Sequence, residues 1–195
     1  QSGSGTQHYD GGEGTDTYKI NTAAFGHVDE DIKVDLSTGF SGLKDDPDHV
    51  LNDTLTNIEN VDFSNVNWDL VLNGDENANI LKGGTGNDTI DGGAGDDKIY
   101  GGDNNDTLKS GAGTDELYGE GGDDTLVLNG VGAMIFDGGE GVDTLEAVVG
   151  DPSLWGAPEG YEYLWANLVS GGAGLVVDGD SFQSDTLISI ENVTY

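Results

Sequence analysis

Large apolar residues recur at a fixed period through the middle of the chain. Between residues 83 and 127 each of these positions is Ile or Leu, and an Asp stands two residues before it. The apolar residues are Ile90, Ile99, Leu108, Leu117 and Leu126, and the acids are Asp88, Asp97, Asp106, Asp115 and Asp124. A strict period of this kind indicates stacked structural repeats.

Each nonapeptide fits the template G-G-x-G-x-D-x-U-x, in which U is a large apolar residue. The glycines favour a turn over the first six positions, and the last three predict a short strand whose middle side chain points inward. Two repeats would close one coil of a right-handed roll, with strands of successive coils about 4.8 Å apart. A weaker copy, Gly74–Lys82, has Asn79 in the Asp position.

In such a roll the acids would form ladders along both edges. Carboxylates about 4–5 Å apart repel each other by roughly 1 kcal/mol in water, and by more near a protein surface. Carboxylates and turn carbonyls are the ligands that Ca²⁺ prefers, so we expect several Ca²⁺ ions and folding coupled to their binding. The alternative, a disordered Gly/Asp-rich linker, explains neither the period nor the constant apolar position.

The candidate metal ligands are the turn residues of the repeats and of two outlying copies. They are Asp16, Asn79, Gly84, Gly86, Asn87, Asp88, Gly93, Gly95, Asp96, Asp97, Gly102, Asn104, Asp106, Gly111, Gly113, Asp115, Gly122, Asp123, Asp124 and Asp143.

The array lies between two copies of a longer unit. Each copy opens with G-G-E-G-x-D-T, at Gly11 and at Gly138, and closes with D-T-L-x-x-I-E-N-V. We expect these units to cap the ends of the roll, because an open solenoid end exposes core and strand edges. The acids of the closing segments either extend the calcium ladders or lie at the surface; they are Asp53, Glu59, Asp185 and Glu191.

The predicted fold is therefore an all-β, calcium-stabilised parallel β-roll, a β-solenoid, with β-rich capping layers and at most a short helix. We expect a linker over residues 1–10, a first flanking unit over 11–73, the roll over 74–137 and a second flanking unit over 138–195, all in one integrated domain. Residues 128–137 are expected to continue the stack as a coil without a full metal site.

Within the flanking units, apolar and polar residues alternate over 32–36, which predicts a half-buried strand. Residues 39–49 are predicted to form a polar loop, and its three acids favour a solvated loop over a cation site because the glycine of an EF-hand turn is missing.

The second unit departs most from the first over residues 151–174, where aromatic residues are concentrated. A short helix is expected over 161–168. The aromatic cluster forms either a recognition surface or a small satellite core. The candidate ligand-binding residues are Asp151, Trp155, Tyr161, Tyr163, Trp165, Asp178 and Asp180.

Composition narrows the possible functions. The 195 residues carry a net charge of −32, with six lysines, no arginine and no cysteine. This charge excludes nucleic acid as a partner and disfavours anionic membrane surfaces, and no apolar run approaches a membrane span, so direct membrane insertion is not expected. H-E-x-x-H, G-x-S-x-G and G-x-x-x-x-G-K are all absent from the sequence. We therefore expect no catalytic activity.

The nonapeptide array resembles the calcium-binding repeats of RTX proteins. The segment D-T-L-x-x-I-E-N-V, followed by N-G-D-x-x-A-N-x-L-x-G-G-x-G-N-D, is also similar to stretches of very large bacterial adhesins. The resemblance implies type I secretion, folding in extracellular calcium, and a location at the bacterial cell surface. Some such adhesins, which act in adhesion and biofilm formation, carry a calcium-dependent peptide-binding domain of this size.

In those peptide-binding domains the terminal carboxylate of the ligand meets a bound calcium ion. By resemblance, the expected partner is a peptide or protein on a host or neighbouring cell, bound by a monomeric module within a larger chain. Two alternatives stay open: a purely structural module for secretion, folding or stalk rigidity, and a non-catalytic appendage of a polysaccharide-modifying enzyme.

Overall fold

The computed structural model describes residues 7–19, 32–43, 52–130, 134–147, 164–166, 173–177, 185–190 and 192–194. Over these ranges the chain forms strands, turns and bends but no helix, and hence no helix long and apolar enough to cross a membrane. The strands form one ten-stranded and one nine-stranded sheet. The all-β prediction is confirmed.

The strands of the first flanking unit and of the approach to the array are β1 His8–Asp10, β2 Thr17–Tyr18, β3 Ile32–Asp35, β4 Phe40–Leu43, β5 Asn52–Thr56, β6 Asn60–Asp62 and β7 Leu70–Asn73. The array contains β8 Ile80–Lys82, β9 Thr89–Asp91, β10 Lys98–Asp103, β11 Thr107–Lys109, β12 Glu116–Gly121 and β13 Thr125–Leu128. The chain ends with β14 Ile135–Asp137, β15 Thr144–Ala147, β16 Leu164–Ala166, β17 Ala173–Val177, β18 Asp185–Ile188 and β19 Asn192–Thr194.

Successive strands of the array alternate between the two sheets, so each strand pairs in parallel with the strand two places further along. In the ten-stranded sheet Leu108 lies between Ile90 and Leu126, and in the nine-stranded sheet Ile99 lies between Leu81 and Leu117. All six of these side chains have 0% exposure. They fill the narrow space between the sheets, which confirms that the eighth position of each repeat supplies the core.

The flanking units add strands to the same two sheets. At the N-terminal end, β3, β4 and β5 are antiparallel neighbours, β1 pairs in parallel with β5, and β2 pairs in parallel with β6. At the other end, β14 continues the stack on β12, as expected, and β15 pairs with β19. Beyond them β16, β17 and β18 form an antiparallel group.

Three local predictions differ from the structure. The linker expected over 1–10 ends earlier, because residues 8–10 form β1 and pair with β5. The loop expected from Gly39 is wrong over 40–43, where β4 pairs on both sides; residues 44–49, with their three acids, lie outside the described part of the chain. The helix expected over 161–168 is wrong at Leu164–Ala166, which are held as a strand by antiparallel pairing with β17.

Candidate calcium-binding edges of the roll

The Asp at position six of each repeat is buried at an edge of the roll. Asp88, Asp97, Asp106, Asp115 and Asp124 are each at most 2% exposed. One carboxylate oxygen of each accepts a backbone hydrogen bond from the preceding coil: Asp106 Oδ1 accepts the N–H of Asp88 at 2.7 Å, and Asp124 Oδ1 accepts that of Asp106 at 2.8 Å. The acids therefore form ladders whose rungs are carboxylate-to-backbone hydrogen bonds.

The two edges carry separate ladders. On one edge Asp97 Oδ1 accepts the N–H of Asn79 at 2.8 Å, and Asp115 Oδ1 accepts the N–H of Asp97 at 2.9 Å. The other edge starts at Leu70, whose N–H is bound by Asp88, and continues to Asp143, which binds the N–H of Asp124 at 2.8 Å. Alternating repeats therefore supply opposite edges, as the 18-residue coil predicts.

The second oxygen of most of these carboxylates is buried and accepts no hydrogen bond. This is so for the Oδ2 atoms of Asp97, Asp106, Asp115 and Asp124, and also for that of Asp16 in the first flanking unit. A buried carboxylate oxygen without a donor is strongly unfavourable unless a cation or a proton is present. The chemistry of these five atoms therefore fits a bound cation.

In the turns of Asp97, Asp106 and Asp124, position one is glycine, and a Cβ atom there would meet both the Oδ2 atom and a backbone carbonyl oxygen of the next coil. In the turn of Asp115 this position is Ser110. A Cβ atom at Gly92 would lie 2.5 Å from Asp97 Oδ2 and 2.6 Å from the carbonyl oxygen of Ser110 in the next coil. At Gly101 the corresponding neighbours are Asp106 Oδ2 and the Gly119 carbonyl. Glycine at position one thus leaves a cradle with oxygen atoms from two coils.

Within the described ranges, no group of three or more His, Asp or Glu side chains converges as in a carboxylate or histidine cage. A cation at these edges would instead be held by one or two carboxylates and several turn carbonyls. Hard oxygen ligands of this mixed kind suit Ca²⁺ and do not suit zinc or copper.

Burial raises the pKa of the position-six acids. It raises the pKa of Asp106 to about 8 and that of Asp97 to about 7, with nearby acids adding to the shift and a backbone hydrogen bond opposing it. The pKa of Asp88, Asp115 and Asp124 rises to about 6, again chiefly because of burial. In the absence of a cation, these acids therefore keep their protons to a higher pH than an exposed Asp does, and Asp106 keeps its proton to the highest pH.

Two turn conformations occur among the repeats, and they differ at position two. Gly93, Gly102 and Gly111 have φ of 95°, 123° and 86°, and Glu120 has φ of 74° despite its side chain. Gly84 and Asp75, in contrast, are not among the residues with positive φ, and their N–H groups donate to the position-six side chains of Asp88 and Asn79, both at 2.9 Å. We call the first conformation open and the second closed.

The closed turns satisfy their own position-six side chains. Asn79 Oδ1 accepts the N–H of Asp75, and its Nδ2 donates to the carbonyl of Glu59 at 2.8 Å. Both polar atoms of the Asn79 amide are therefore occupied within the protein. Asp88 likewise binds two backbone N–H groups, those of Leu70 and Gly84. The open turns leave Oδ2 available.

The remaining predicted glycines stack directly on the preceding coil. A Cβ atom at Gly95 would lie 2.5 Å from the Asn77 carbonyl oxygen. The same clash with a carbonyl below occurs at Gly84, Gly86, Gly93, Gly102, Gly111, Gly113 and Gly122. Asn104 takes the glycine place with φ of 74°, and its amide donates to the Thr85 carbonyl at 2.8 Å.

A second ladder runs along position five, outside the buried one. Asn87 Oδ1 accepts the N–H of Asn105 at 3.2 Å, Asn105 Oδ1 accepts that of Asp123 at 3.0 Å, and Asp69 begins the series. On the other edge Asp96 binds the N–H of Thr114 at 2.9 Å. The predicted ligands Asn87 and Asp96 therefore bind backbone N–H groups, as does Asp123, whose Oδ1 accepts the N–H of Val142 at 2.9 Å. Asp or Asn recurs at position five every 18 residues, at 69, 87, 105 and 123, and this recurrence would have identified Asp69 and Asn105 as members of the same ladder.

The structure brings Asp16 and Asp143 into equivalent turns of the two flanking units. The predicted ligand-binding set lies largely elsewhere: Asp151, Trp155, Tyr161, Tyr163, Asp178 and Asp180 are outside the described residues, and Trp165 is placed only through the backbone of β16.

A narrow parallel roll with buried acids at position six of its turns, most of them beside a glycine cradle, defines a cation-dependent β-solenoid. The sequence profile of the RTX calcium-binding nonapeptide repeat (4 copies) matches residues 73–108 and 100–130. This part of the chain is therefore an RTX calcium-binding array, and the resemblance of the nonapeptides to RTX repeats is confirmed. No curated protein matches the chain. RTX repeats bind Ca²⁺ and are typical of secreted, extracellular proteins.

Proposed function

We propose that the chain is a non-catalytic module of a bacterial cell-surface protein, and that it folds on binding several extracellular Ca²⁺ ions. The observation that carries this proposal is the row of buried Oδ2 atoms without hydrogen-bond donors, among them those of Asp97, Asp106, Asp115 and Asp124. At Asp97, Asp106 and Asp124 a carbonyl oxygen of the adjoining coil lines the same glycine cradle, so an ion bound there joins two coils.

The core alone offers little compensation for these buried acids. It is a single layer of apolar side chains between two sheets, one residue per repeat. Ions that bind the folded roll and not the unfolded chain add stability in proportion to the logarithm of their concentration. Low calcium inside the cell and high calcium outside would therefore keep the chain unfolded for export and fold it afterwards.

Far-UV circular dichroism during calcium titration tests this proposal. In a chelator at pH 7.5 or above we expect a largely disordered spectrum, and added Ca²⁺ should restore the β signal. Mg²⁺ at the same concentration is the matched control, and it should be far less effective because it requires a small octahedral site. A β spectrum that chelation leaves unchanged would contradict the proposal.

We further propose that the module is an adhesin domain that binds the C-terminal carboxylate of a peptide or protein on a host or neighbouring cell. Two features support this. The chain has no arginine, so a calcium ion with a free coordination position is the natural partner for a carboxylate. In addition, β16 and β17 extend the nine-stranded sheet in antiparallel fashion, and they belong to a stretch outside the RTX match.

Calcium-loaded protein should be screened against peptides with free C-termini and against the same peptides with amidated ends. Binding that disappears on amidation and in chelator is the expected result, and Trp155→Ala or Tyr161→Ala should weaken it without changing the calcium titration. Absence of binding by a normally folded protein would leave the structural module as the better account, and affinity for sugars alone would favour the polysaccharide-related alternative.

A further inference from the structure

The turn Gly11–Asp16 of the first flanking unit lies against a short turn, Asn57–Glu59, that joins β5 to β6. This place is outside the RTX match, which begins at residue 73. In the array, each six-residue turn lies against another six-residue turn. Here the partner turn is shorter, and its sequence does not fit the nonapeptide template.

The backbone hydrogen bonds nevertheless show how the short turn corresponds to a normal one. Gly11 N–H donates to the Thr56 carbonyl at 3.0 Å, as Gly92 does to Lys109 at 3.0 Å in the array. At the other end, Asn60 N–H donates to the Asp16 carbonyl at 3.0 Å. The array equivalent is the bond from Thr125 to Asp106, at 2.8 Å. Asn57 therefore stands at position one of the missing repeat, and Glu59 stands at position six.

Glu59 also makes the side-chain contact of a position-six Asp. Its Oε2 accepts the N–H of Asp16 at 2.8 Å, and Asp124 Oδ1 accepts the N–H of Asp106 at the same distance. The extra methylene of Glu lets a carboxylate in a shorter turn reach the place that Asp reaches in a longer one. The ladder thus continues into the flanking unit with Glu in place of Asp.

The cradle of the array is present as well. A Cβ atom at Gly11 would meet the carbonyl oxygen of Asn57 and the side chain of Asp16. The Oδ2 atom of Asp16 is buried and accepts no hydrogen bond, although its side chain is only partly covered. Gly12 and Gly14 have φ of 90° and 127°, so this turn has the open conformation.

We propose that Asp16, Glu59 and the Asn57 carbonyl hold a divalent hard cation, Ca²⁺ in the extracellular setting, at the N-terminal end of the roll. The site rests on the proposed calcium dependence and extends it beyond the nonapeptide array. It joins β1 and β2 to β5 and β6, strands far apart in sequence, so the ion would fasten the two ends of the first flanking unit to each other.

The second copy of the unit repeats the backbone arrangement. Gly138 N–H donates to the Ile188 carbonyl at 3.0 Å, and Asn192 N–H donates to the Asp143 carbonyl at 2.9 Å. Ser189, at the place of Asn57, has φ of 49° against 52° for Asn57. The geometry at the first cap is therefore a recurring one and does not depend on a single loop conformation.

The test is the calcium stoichiometry of the full chain, measured by isothermal titration calorimetry and native mass spectrometry. Glu59→Gln keeps an oxygen that can accept the Asp16 N–H bond and removes the charge. We expect it to bind one ion fewer than the wild type, or to bind one ion at least tenfold more weakly. Asp16→Asn should have the same effect, and Glu13→Gln, at an exposed position of the same turn, should have none.

The shorter Glu59→Asp should also lose the ion, because its carboxylate no longer spans the turn. If Glu59 merely accepts the Asp16 N–H bond, Glu59→Gln will bind as many ions as the wild type with unchanged affinities, and that result would overturn the proposal. If the Glu59 variants do not fold, the number of calcium ions bound by Asp16→Asn decides whether the site exists. A wild type that binds no calcium would instead refute the proposed function itself, through the circular dichroism titration.

Discussion

Replacing Asp106 by Asn removes the charge from the middle rung of one ladder and keeps the shape of the side chain. The Asn oxygen can still accept the N–H of Asp88, now bound at 2.7 Å. Its amide nitrogen would take the place of Oδ2, beside the Gly119 carbonyl, and could donate to it. Asn79 already shows that an amide at position six can be satisfied within the protein. The variant should therefore stabilise the calcium-free roll and weaken the calcium-bound one.

The magnitude follows from the carboxyl group. Burial and the neighbouring acids raise the pKa of Asp106 to about 8, whereas an exposed Asp has a pKa of about 3.9. Keeping such a group in the folded state at pH 7 costs about 4 kcal/mol relative to the ionised group of the unfolded chain. Because the amide also has to be buried, we expect a net gain of roughly 2 kcal/mol in chelator. In calcium, loss of one charged ligand should raise the calcium midpoint about tenfold or more, which corresponds to about 1.4 kcal/mol.

Two titrations at pH 7 check both halves of this prediction. In the first titration, trimethylamine N-oxide, which favours compact states, is added to the protein in chelator. In the second, Ca²⁺ is added. Circular dichroism follows folding in both. Asp103→Asn, an exposed position of the same repeat, is the control for the change in net charge. The reasoning fails if Asp106→Asn destabilises the roll in chelator, or if it leaves the calcium midpoint at the value of the control.

Three further predictions concern the same ladders and core. In chelator, the roll should lose stability as the pH rises from about 4 to about 8, because the acids of the folded state hold protons that those of the unfolded chain have lost. Over the same pH range, the calcium concentration at the midpoint of folding should fall, because fewer protons compete with the ion. Circular dichroism measures both. Gly92→Ala should raise the calcium midpoint because its Cβ fills the cradle, whereas at Gly121 a Cβ would find its nearest neighbours at 3.8 and 3.9 Å, and the same change should have little effect. In urea denaturation with calcium present, Leu108→Ala should lower the free energy of unfolding by about 2–5 kcal/mol. Ile80→Ala, at a 39% exposed position, should lower it far less.

The fold of the array could be predicted because its template fixes each residue locally and the stacking of identical units does the rest. The misassigned segments lack that support. Residues 8–10, 40–43 and 164–166 are strands because other strands supply their hydrogen bonds, and nothing in their own sequence shows an alternation that predicts this pairing. Residues 32–35, in contrast, alternate clearly and were assigned correctly as β3.

For the candidate site, the sequence identified the position-six acids and the glycines around them. It did not reveal how the two oxygens of each carboxylate divide their roles, with Oδ1 bound to the preceding coil and Oδ2 turned toward the cradle. It also could not separate open from closed turns, because Gly84 and Gly93 are the same residue at the same position and differ only in φ. They do stack on different layers, Gly84 on Val66 and Gly93 on Asp75.

That difference makes the demand for cations uneven along the array. The position-six side chains of the first two repeats, Asn79 and Asp88, are satisfied by backbone groups of the protein, whereas the Oδ2 atoms of Asp97, Asp106, Asp115 and Asp124 have no donor. Asn79 also donates to the Glu59 carbonyl, which links the first repeat to the flanking unit without an ion. Within the array, the repeats nearest the first flanking unit therefore depend least on calcium, and the array's requirement for calcium is concentrated in residues 92–127.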